Sequence, residues 1–369
     1  MRVLITGGGT GGHINPALAI ARELRERDPG LELLYVGTRV GLEADLVPRA
    51  GIEFRTITVS GVIRKSPLQA ALGVLRAGKG FLEARGIIRQ FRPDVVVGTG
   101  GYVSGPVMLA AAMLGVPTLL QEQNAFPGVT NRILSRWVAR VALAFEEARR
   151  YVSPRSRPFV TGNPIRRDIL AAEREASARE LGLDPGKRTI LVTGGSRGAG
   201  SFAKAVPELA AAVRQRPDLQ LIWGTGKQYY DAARHELERR GIWPLPGNIV
   251  MMPYIYRQDL AMAASDLAVV RAGALTLAEL TARGLPSVII PSPNVTHNHQ
   301  VMNARVLSSA GAADVILESD LTGQRLVDRV LAIIDSPERL KQMATRSRAL
   351  GKPNATSDIA DAVLALVRR

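Results

Sequence analysis

The amino terminus reads RVLITGGGTGGH over residues 2–13, an apolar run that stops in glycines and ends in a histidine. Residues 189–200 repeat the arrangement as TILVTGGSRGAG. Each copy predicts a strand, a tight loop and a helix, the opening unit of a nucleotide-binding sheet. Such a loop is expected to direct unpaired backbone N–H groups and the positive helix end at one point, which suits a phosphate. The duplication predicts two charged ligands that meet in a cleft between two domains.

Bulk composition narrows the class of protein. The chain has 369 residues, of which 46% are hydrophobic, enough for two domains with cores of their own. A formal net charge of +15 favours anionic partners: nucleic acid, acidic lipid headgroups or phosphorylated substrates. The absence of cysteine excludes disulfides, thiolate catalysis and cysteine-ligated zinc. No signal peptide is expected, and residues 107–120 fall short of the roughly 20 needed to cross a bilayer.

Apolar runs alternate with helical patterns along the chain, which predicts parallel sheets covered by helices. Predicted strands lie at residues 31–36, 54–59, 94–97, 117–120, 190–193, 219–223, 249–252, 267–270 and 287–290, with a long helix at 66–91. A proline- and arginine-rich segment containing Gly162-Asn163-Pro164 separates the halves. We therefore expect an α/β protein of two Rossmann-like domains, residues 1–163 and 164–353, with a terminal helix near 354–369 packed back on the first domain.

The first glycine loop fits the dinucleotide fingerprint Gly7-x-Gly9-x-x-Gly12, which also requires an acid at the end of the next strand. That strand ends without an acid, as does its counterpart near residue 224. NAD is therefore disfavoured, and an NADP enzyme that uses Arg39 stays open. The simplest alternative, glycines that only permit tight turns, explains three glycine clusters at strand ends poorly.

The stretch DLAVVRAGALTLAEL at residues 266–280 predicts a strand, a loop of small residues and a helix that begins near Thr276. Thr276-x-x-Glu279 fits a capping box, in which both side chains satisfy free N–H groups of the helix start. The functional alternative is that the small residues admit a diphosphate and that Glu279 accepts hydrogen bonds from a ribose. Spacing alone favours the capping box.

Several segments together resemble the MurG family of peptidoglycan N-acetylglucosaminyltransferases, in glycosyltransferase family 28. They are residues 7–13, 100–106, 121–124, 162–166, 194–196, 271–279 and 299–304. The resemblance covers essentially the whole chain in collinear order. It implies a two-domain GT-B fold and inverting transfer from UDP-N-acetylglucosamine to the C4 hydroxyl of undecaprenyl-diphosphate-linked N-acetylmuramoyl-pentapeptide, lipid I, to give lipid II. It also implies a place on the cytoplasmic face of the cell membrane, with other cell-wall synthesis proteins as partners.

The resemblance assigns residues by motif position. Near the donor sugar it places Thr10, Gly11, Gly12 and Asn124. It implies that Arg166 and Ser196 hold the diphosphate and that Ile255 presents its backbone to uracil, a match made by pattern rather than by a distinctive residue. The donor site is lined by Ala274, Leu275, Thr276 and Glu279, with Glu279 on the ribose and Gln300 on the N-acetylglucosamine hydroxyls.

Inverting displacement of UDP requires a base for the attacking hydroxyl and positive groups for the leaving diphosphate. His13 is one candidate base, and its alternative role is to donate to a phosphate or to cap the helix. Glu122 is the competing base, and its alternative is a buried carboxylate bonded to nearby backbone. No Asp-x-Asp pair follows a predicted strand, where a metal would bridge the phosphates, so helix ends and Arg166 must meet the leaving charge and we expect no metal and no cofactor. His297 and His299 lack a second ligand pair with zinc spacing.

Residues 61–92 interleave apolar and basic side chains, which suits a helix on an anionic membrane surface. The residues are Leu68, Leu72, Leu75, Phe81 and Leu82, among Arg64, Lys65, Arg76, Lys79, Arg85 and Arg89. An ordinary amphipathic helix has the same periodicity, and the resemblance favours membrane contact. Trp137 and Met251-Met252 most simply contribute to packing.

Three other functions stay open. A diacylglycerol sugar transferase shares the membrane surface, and a UDP-N-acetylglucosamine 2-epimerase needs no acceptor. A basic module for nucleic acid lacks the expected exposed aromatics, since aromatic residues are only 5% of the chain. We expect no nucleic-acid partner.

Overall fold

The computed structural model describes residues 1–60, 67–195, 198–295 and 298–367. The chain divides into two compact units, of which unit 1 comprises Met1–Ile165 with Asn354–Arg369 and unit 2 comprises Arg166–Pro353. Each unit is built on a parallel β-sheet flanked by helices. The predicted α/β class with two Rossmann-like sheets is confirmed.

Within its described residues, unit 1 contains a seven-stranded parallel sheet in the order β3-β2-β1-β4-β5-β6-β7. The strands are β1 (Arg2–Thr6), β2 (Glu32–Gly37), β3 (Glu53–Thr56), β4 (Val95–Gly98), β5 (Thr118–Glu122), β6 (Arg140–Leu143) and β7 (Phe159–Val160). The helices are α1 (Gly11–Arg27), α2 (Glu43–Arg49), α3 (Pro67–Phe91), α4 (Ser104–Met113), α5 (Val129–Leu134) and, from the end of the chain, α15 (Ala355–Val367).

Alternation along the strands of unit 1 sends apolar side chains to both faces of the sheet. Val3 and Ile5 pack with α1 and α15 in one cluster, whereas Leu4 packs with α3 and α4 in another. All three side chains are fully buried. Burial on both faces explains why these strands read as continuous apolar runs.

Unit 2 contains, among the residues described, a six-stranded parallel sheet in the order β10-β9-β8-β11-β12-β13. Its strands are β8 (Arg188–Thr193), β9 (Leu219–Gly224), β10 (Ile249–Met252), β11 (Leu267–Val270), β12 (Ser287–Ile289) and β13 (Ala313–Val315). Its helices are α6 (Arg167–Ala171), α7 (Arg174–Glu180), α8 (Gly200–Arg214), α9 (Tyr230–Arg239), α10 (Gln258–Ala264), α11 (Ala274–Arg283), α12 (His299–Ser309), α13 (Gly323–Ile334) and α14 (Pro337–Leu350).

The long apolar strands match the prediction to within two residues, but the edges of the sheets do not. The strand predicted at 54–59 ends at Thr56. Beyond Ile57 the backbone leaves the sheet, because the N–H and hydroxyl of Thr58 donate to the carboxylate of Glu83 on α3. The strands β6, β7 and β13, of two to four residues, were not predicted.

Candidate functional site

Both sheets reverse their strand order at one place, between β1 and β4 in unit 1 and between β8 and β11 in unit 2. In open parallel sheets, ligands bind outside the carboxyl ends of the strands at this switch point. The glycine loops after β1 and β8 and the loops after β4 and β11 lie at these ends. The topology therefore selects the same loops as the sequence motifs.

The first glycine loop is held from inside unit 1. The N–H of Gly8 donates to the carbonyl of Gly100 at 3.3 Å, and the N–H of Gly9 donates to Oε2 of Glu43 at 3.2 Å. Glu43 is fully buried and also accepts from the N–H and hydroxyl of Thr38, at 3.2 and 2.7 Å. The prediction that this loop offers unpaired N–H groups is therefore wrong for Gly8 and Gly9.

Glu43 is a residue that motif reasoning missed. The dinucleotide pattern requires an acid at the end of the second strand, whereas this acid lies six residues later, in the first turn of α2. The sequence did contain a signal for this role: Glu43 is an acidic residue at the start of a helix, and the strand before it ends in Gly37. Its carboxylate points back to the glycine loop instead of toward a ribose.

His13 lies in the first turn of α1, with its ring nitrogen Nδ1 facing two oxygens. These are the carbonyl of Thr99 at 2.9 Å and Oε1 of Gln123 at 3.0 Å. Because both partners accept, Nδ1 carries the proton, and the lone pair of the neutral ring is on Nε2. Gly100, with φ of +98°, makes room for this arrangement, since a Cβ there would lie 3.0 Å from Nδ1.

Buried amides continue from His13 through the end of β5. The Nε2 group of Gln123 donates to the carbonyl of Thr99 at 2.6 Å and to the side-chain oxygen of Gln121. Gln121 donates to Oδ1 of Asn163 at 2.9 Å, and Asn163 returns a bond to the Gln123 carbonyl at 3.0 Å. The signal for this amide network in the sequence is the polar run at residues 121–124, which directly follows a predicted apolar strand.

Glu122 points into a different set of donors. Only 1% of its surface is exposed. The carboxylate accepts from the N–H and side-chain amide of Asn124, the N–H of Gly128 and the amide of Asn131, at 2.8 to 3.2 Å. Burial raises the pKa of Glu122, and these hydrogen bonds oppose that shift. The contacts favour the buried structural carboxylate over the competing base, and they fix the position of Asn124.

Three of the residues expected near the donor sugar, Thr10, Gly11 and Gly12, lie at the start of α1. The helix begins at Gly11 after Thr10, whose extended backbone serves as N-cap without a side-chain hydrogen bond. Thr10 and Gly12 are exposed, and the first turn carries no acidic side chain. The positive end of α1 is thus not neutralised by an acidic residue of its own first turn.

The second glycine loop is tight where it meets β9. Gly198 has a φ of +68°, and a Cβ there would lie 2.2 Å from the carbonyl of Thr225. A Cβ on Gly195 would meet no atom of the described residues within 4 Å, so this side of the loop is open. The following helix α8 has no side-chain cap and no acid in its first turn. Ser196 lies outside the described residues.

Helix α11 begins earlier than predicted. Its N-cap is Gly273, and Ala274 is the first helical residue. Thr276 therefore lies within the first turn and Glu279 in the second, which makes the capping-box interpretation wrong. The N–H of Leu277 donates to the carbonyl of Gly273 at 3.0 Å, as expected for a helix that starts at Ala274. Ala274, Leu275 and Thr276 form the first turn of a helix that has no side-chain cap.

Glu279 faces Arg166, the N-cap residue of α6. The two side chains form an ion pair at 3.6 Å, and Arg166 also lies 3.6 Å from Asp168. Burial raises the pKa of Glu279 to about 7, although the charge of Arg166 acts to lower it. Two residues expected to bind the donor are therefore adjacent, and one of them titrates near neutrality.

The side chains of Arg271 and Gln300 hold loops of unit 2 in place. Arg271 donates to the hydroxyl of Ser201 at 3.0 Å and to the carbonyl of Ile290 at 3.1 Å, and it pairs with Glu318. On α12, Gln300 accepts from the N–H of Ser292 at 2.8 Å.

Ile255 follows β10 and is buried against Gly224, where a Cβ would meet its side chain at 2.7 Å. His235 is exposed on α9, and His299 is the first residue of α12. His297 lies outside the described residues. Across the described parts of the chain, no group of three or more acidic, histidine or cysteine side chains is placed to hold a metal ion.

Comparisons with known proteins decide the family. The model described as "Glycosyltransferase family 28 N-terminal domain" matches residues 3–143, and the one described as "Glycosyltransferase family 28 C-terminal domain" matches residues 189–363. The chain belongs to glycosyltransferase family 28. The family resemblance and the enzyme class expected from the motifs are confirmed, so the oxidoreductase and nucleic-acid alternatives are no longer needed.

Relatives that match the chain over its full length have names that state one particular transferase reaction. A protein of Desulforamulus reducens is 48% identical and one of Moorella thermoacetica 47% identical, with 99% or more of both chains covered. Each is named "UDP-N-acetylglucosamine--N-acetylmuramyl-(pentapeptide) pyrophosphoryl-undecaprenol N-acetylglucosamine transferase". The crystal structure of Acinetobacter baumannii MurG is 29% identical, with a TM-score of 0.78 and 99% of both chains covered. A UDP-GlcNAc 2-epimerase of Neisseria meningitidis, at 16% identity and a TM-score of 0.67, shares the fold alone.

The enzyme also exposes apolar side chains on α3. Leu75 and Leu82 are 69% and 64% exposed, and their spacing of seven places them on one helix face. Phe81 instead packs against the core of unit 1, so it is not part of this exposed face. Trp137 is 59% exposed, which makes its predicted packing role wrong. The described residues include no helix both long and apolar enough to cross a bilayer.

Proposed function

We propose that this family 28 glycosyltransferase transfers N-acetylglucosamine from UDP-N-acetylglucosamine to the C4 hydroxyl of lipid I and forms lipid II. The observation that carries the proposal is the pairing of Glu279 with Arg166 at 3.6 Å. It presents an acceptor for ribose hydroxyls beside a cation for the diphosphate. Full-length relatives at 47 to 48% identity, whose names state this reaction, support the same assignment.

The donor binds to unit 2 at the carboxyl ends of its strands. The helices α8 and α11 begin there without side-chain caps and without acids in their first turns, so their positive ends favour a diphosphate. Arg166 and Ser196 bind the diphosphate, and Glu279 accepts from the ribose. Gln300 binds the sugar hydroxyls, and Ile255 presents its backbone to uracil. Thr10, Gly11, Gly12 and Asn124 of unit 1 contact the transferred sugar.

His13 is the general base in the proposed reaction. Its Nε2 takes the proton of the C4 hydroxyl while that oxygen forms a bond to the anomeric carbon. The bond from this carbon to the diphosphate oxygen breaks, and its electron pair leaves with UDP. Attack from the face opposite the leaving group inverts the anomeric configuration. The charge that develops on UDP is stabilised by Arg166 and the helix ends, with no metal in the scheme.

Unit 1 brings the enzyme to its lipid-linked acceptor at the cytoplasmic face of the membrane. Leu75 and Leu82 are exposed on α3, and Arg76, Lys79 and Arg85 are exposed on the same helix. Apolar side chains among basic ones suit an anionic headgroup layer.

Product analysis tests the function directly. The enzyme is incubated with labelled UDP-N-acetylglucosamine and a soluble lipid I analogue, and the products are separated and identified. We expect UDP and the β-linked disaccharide in equal amounts, only when the analogue is present. Formation of a 2-epimer without acceptor, or transfer only to diacylglycerol, would overturn the proposal. The His13→Asn variant is the control: it should bind donor normally and release UDP roughly 10²- to 10⁴-fold more slowly, at a rate that can still be measured.

A further inference from the structure

We propose that Gln123 is a positioning residue that sets the tautomer and the orientation of the His13 ring. The inference rests on the proposed function, in which His13 is the base. Gln123 acts through His13 and does not contact the reacting atoms in this scheme. Its role is to keep the proton on Nδ1, so that the lone pair of the neutral ring is on Nε2.

The first argument is the chemistry of the atoms around Nδ1. Oε1 of Gln123 lies 3.0 Å from Nδ1, and the carbonyl of Thr99 lies 2.9 Å from it. Neither oxygen can donate a hydrogen bond. An unprotonated Nδ1 would therefore direct its lone pair at the lone pairs of both oxygens, which is repulsive. Two acceptors on one ring nitrogen therefore select the Nδ1–H tautomer. A ring rotated by 180° about its bond to Cβ would lose both contacts.

The second argument is that the amide of Gln123 is itself held in one orientation. Its Nε2 group donates to the Thr99 carbonyl at 2.6 Å and to the side-chain oxygen of Gln121. Gln121 is held in turn by Asn163 at 2.9 Å. All three amide side chains are buried. If the Gln123 amide were flipped, its oxygen would face the Thr99 carbonyl and the Gln121 oxygen, and no water could compensate for the lost hydrogen bonds. The only oxygen of the Gln123 side chain is thus directed at His13.

The third argument concerns the charged groups nearby. The carboxylate of Glu43 accepts from the N–H of Gly9, and that of Glu122 accepts from the side-chain amide of Asn131. The ring nitrogen Nδ1 instead faces two uncharged oxygens. Tyr102 packs against Gly9. The ring nitrogen is therefore oriented by a neutral amide, a different solution from the carboxylate that orients the histidine of a Ser-His-Asp triad.

A double-mutant cycle tests the proposal. Gln123→Met keeps the volume and removes both the acceptor and the donor, and we expect kcat to fall roughly 10- to 100-fold with donor Kd unchanged within twofold. In the His13→Asn background the same change should cause no further loss, because its effect passes through the ring. Gln90→Met, on the exposed surface of α3, is the control and should retain full activity. Additive losses in the double variant would overturn the proposal.

Nuclear magnetic resonance provides a readout independent of turnover. With ¹⁵N-labelled histidine, we expect the His13 signals of the unmodified enzyme to show a protonated Nδ1 and an unprotonated Nε2 at neutral pH. Gln123→Met should shift them toward a mixture of tautomers. Gln123→Glu should favour the imidazolium and move the acid limb of the kcat/KM profile to higher pH. Unchanged tautomer signals in Gln123→Met overturn the inference, whereas a correct tautomer in an enzyme without transfer activity overturns only the proposed function.

Discussion

The carboxylate of Glu43 accepts a hydrogen bond from the backbone N–H of Gly9, inside the first glycine loop. In nucleotide-binding sheets the N–H groups of such loops face the phosphates of a ligand. Here a buried side-chain anion occupies that role within unit 1. In unit 2 no acid lies in the first turn of α8 or of α11. In the second glycine loop the N–H of Gly195 donates to the hydroxyl of Thr193 at 3.3 Å, and the N–H of Gly198 donates to the carbonyl of Gly195 at 2.9 Å. The two copies have therefore diverged: a carboxylate holds the loop of the first, whereas a hydroxyl and a carbonyl hold the described residues of the second.

Replacement of Glu43 by alanine should destabilise unit 1. The change leaves the N–H of half-buried Gly9 and the N–H of buried Thr38 without their acceptor. An unsatisfied buried donor costs about 1–3 kcal/mol in the free energy of unfolding. Affinity for UDP itself should stay the same, because the proposed contacts to uracil, ribose and diphosphate are in unit 2. Denaturant unfolding and titration with UDP measure the two effects. Glu26→Ala, which breaks an exposed pair with Arg22, is the control and should change stability by less than about 0.5 kcal/mol. Equal stability of the two variants would contradict this role.

The start of α11 can be tested by comparison with a residue that does cap a helix. The Thr322 side chain accepts from the N–H of Arg325 at the start of α13, at 3.1 Å. Thr322→Ala should therefore lower the free energy of unfolding by about 1 kcal/mol. Thr276→Ala should cost less than half of that, since Gly273 is the N-cap of α11. Equal losses in the two variants would restore the capping-box interpretation.

The error at α11 shows what sequence patterns leave undetermined. Thr276 and Glu279 have the residue types and spacing of a capping box, but small residues that precede Thr276 can also be helical. A pattern of residue types cannot decide whether Ala274 is the last loop residue or the first helical one. Long apolar strands such as β1 and β8 were predictable, because burial on both faces requires an unbroken apolar run.

The candidate site was predictable as a set of motifs but not as a set of contacts. Glycines at strand ends and the polar run that ends β5 identified loops that lie at the carboxyl ends of the strands. Their partners are distant in sequence: Glu43 lies 34 residues from Gly9, and Gln123 lies 110 residues from His13. The sheet order brings β1, β4 and β5 side by side, so the hydrogen-bond partners of His13 and Glu122 could not be found from the sequence alone.

The titration of Glu279 should appear as a pH dependence of donor binding. Burial raises its pKa to about 7, so the carboxylate that accepts from the ribose forms as the pH rises through neutrality. We expect donor affinity to increase up to about tenfold between roughly pH 6 and pH 8. Calorimetric titration with UDP-N-acetylglucosamine measures it. Glu279→Gln should bind weakly and without this pH dependence, and a parallel pH dependence in that variant would contradict the assignment.

The same shift predicts the sign of a stability change. The folded pKa of Glu279 is higher than its unfolded value of about 4.5, so the folded chain binds the extra proton in the interval up to about 7. Rising pH therefore lowers the stability contributed by Glu279 across this interval. Relative to the unmodified enzyme, Glu279→Gln should gain on the order of 1–3 kcal/mol between pH 5 and pH 8. Denaturant unfolding at both pH values measures this gain, and a constant difference would contradict it.

Membrane contact should depend on the exposed face of α3. The double variant Leu75→Ser, Leu82→Ser removes two exposed apolar side chains and leaves the basic ones in place. We expect binding to phosphatidylglycerol vesicles to fall at least about tenfold, since each buried leucine contributes roughly 1.5–3 kcal/mol. Flotation with vesicles measures it. Leu170→Ser, Leu317→Ser, at two exposed positions of unit 2, is the matched control. Equal vesicle binding by both variants would exclude this face.

The leaving diphosphate should need no divalent ion. Arg166 and the amino ends of α8 and α11 supply the positive charge in the proposed site, and they are part of the chain itself. Turnover of the soluble lipid I analogue should therefore be the same in EDTA as in Mg²⁺. Arg166→Met should lower kcat/KM roughly 100-fold in both buffers, because it removes a charge that stabilises the transition state. Arg167→Met, at the exposed neighbouring position, is the control. Loss of turnover in EDTA and its recovery with Mg²⁺ would show that a metal performs this role.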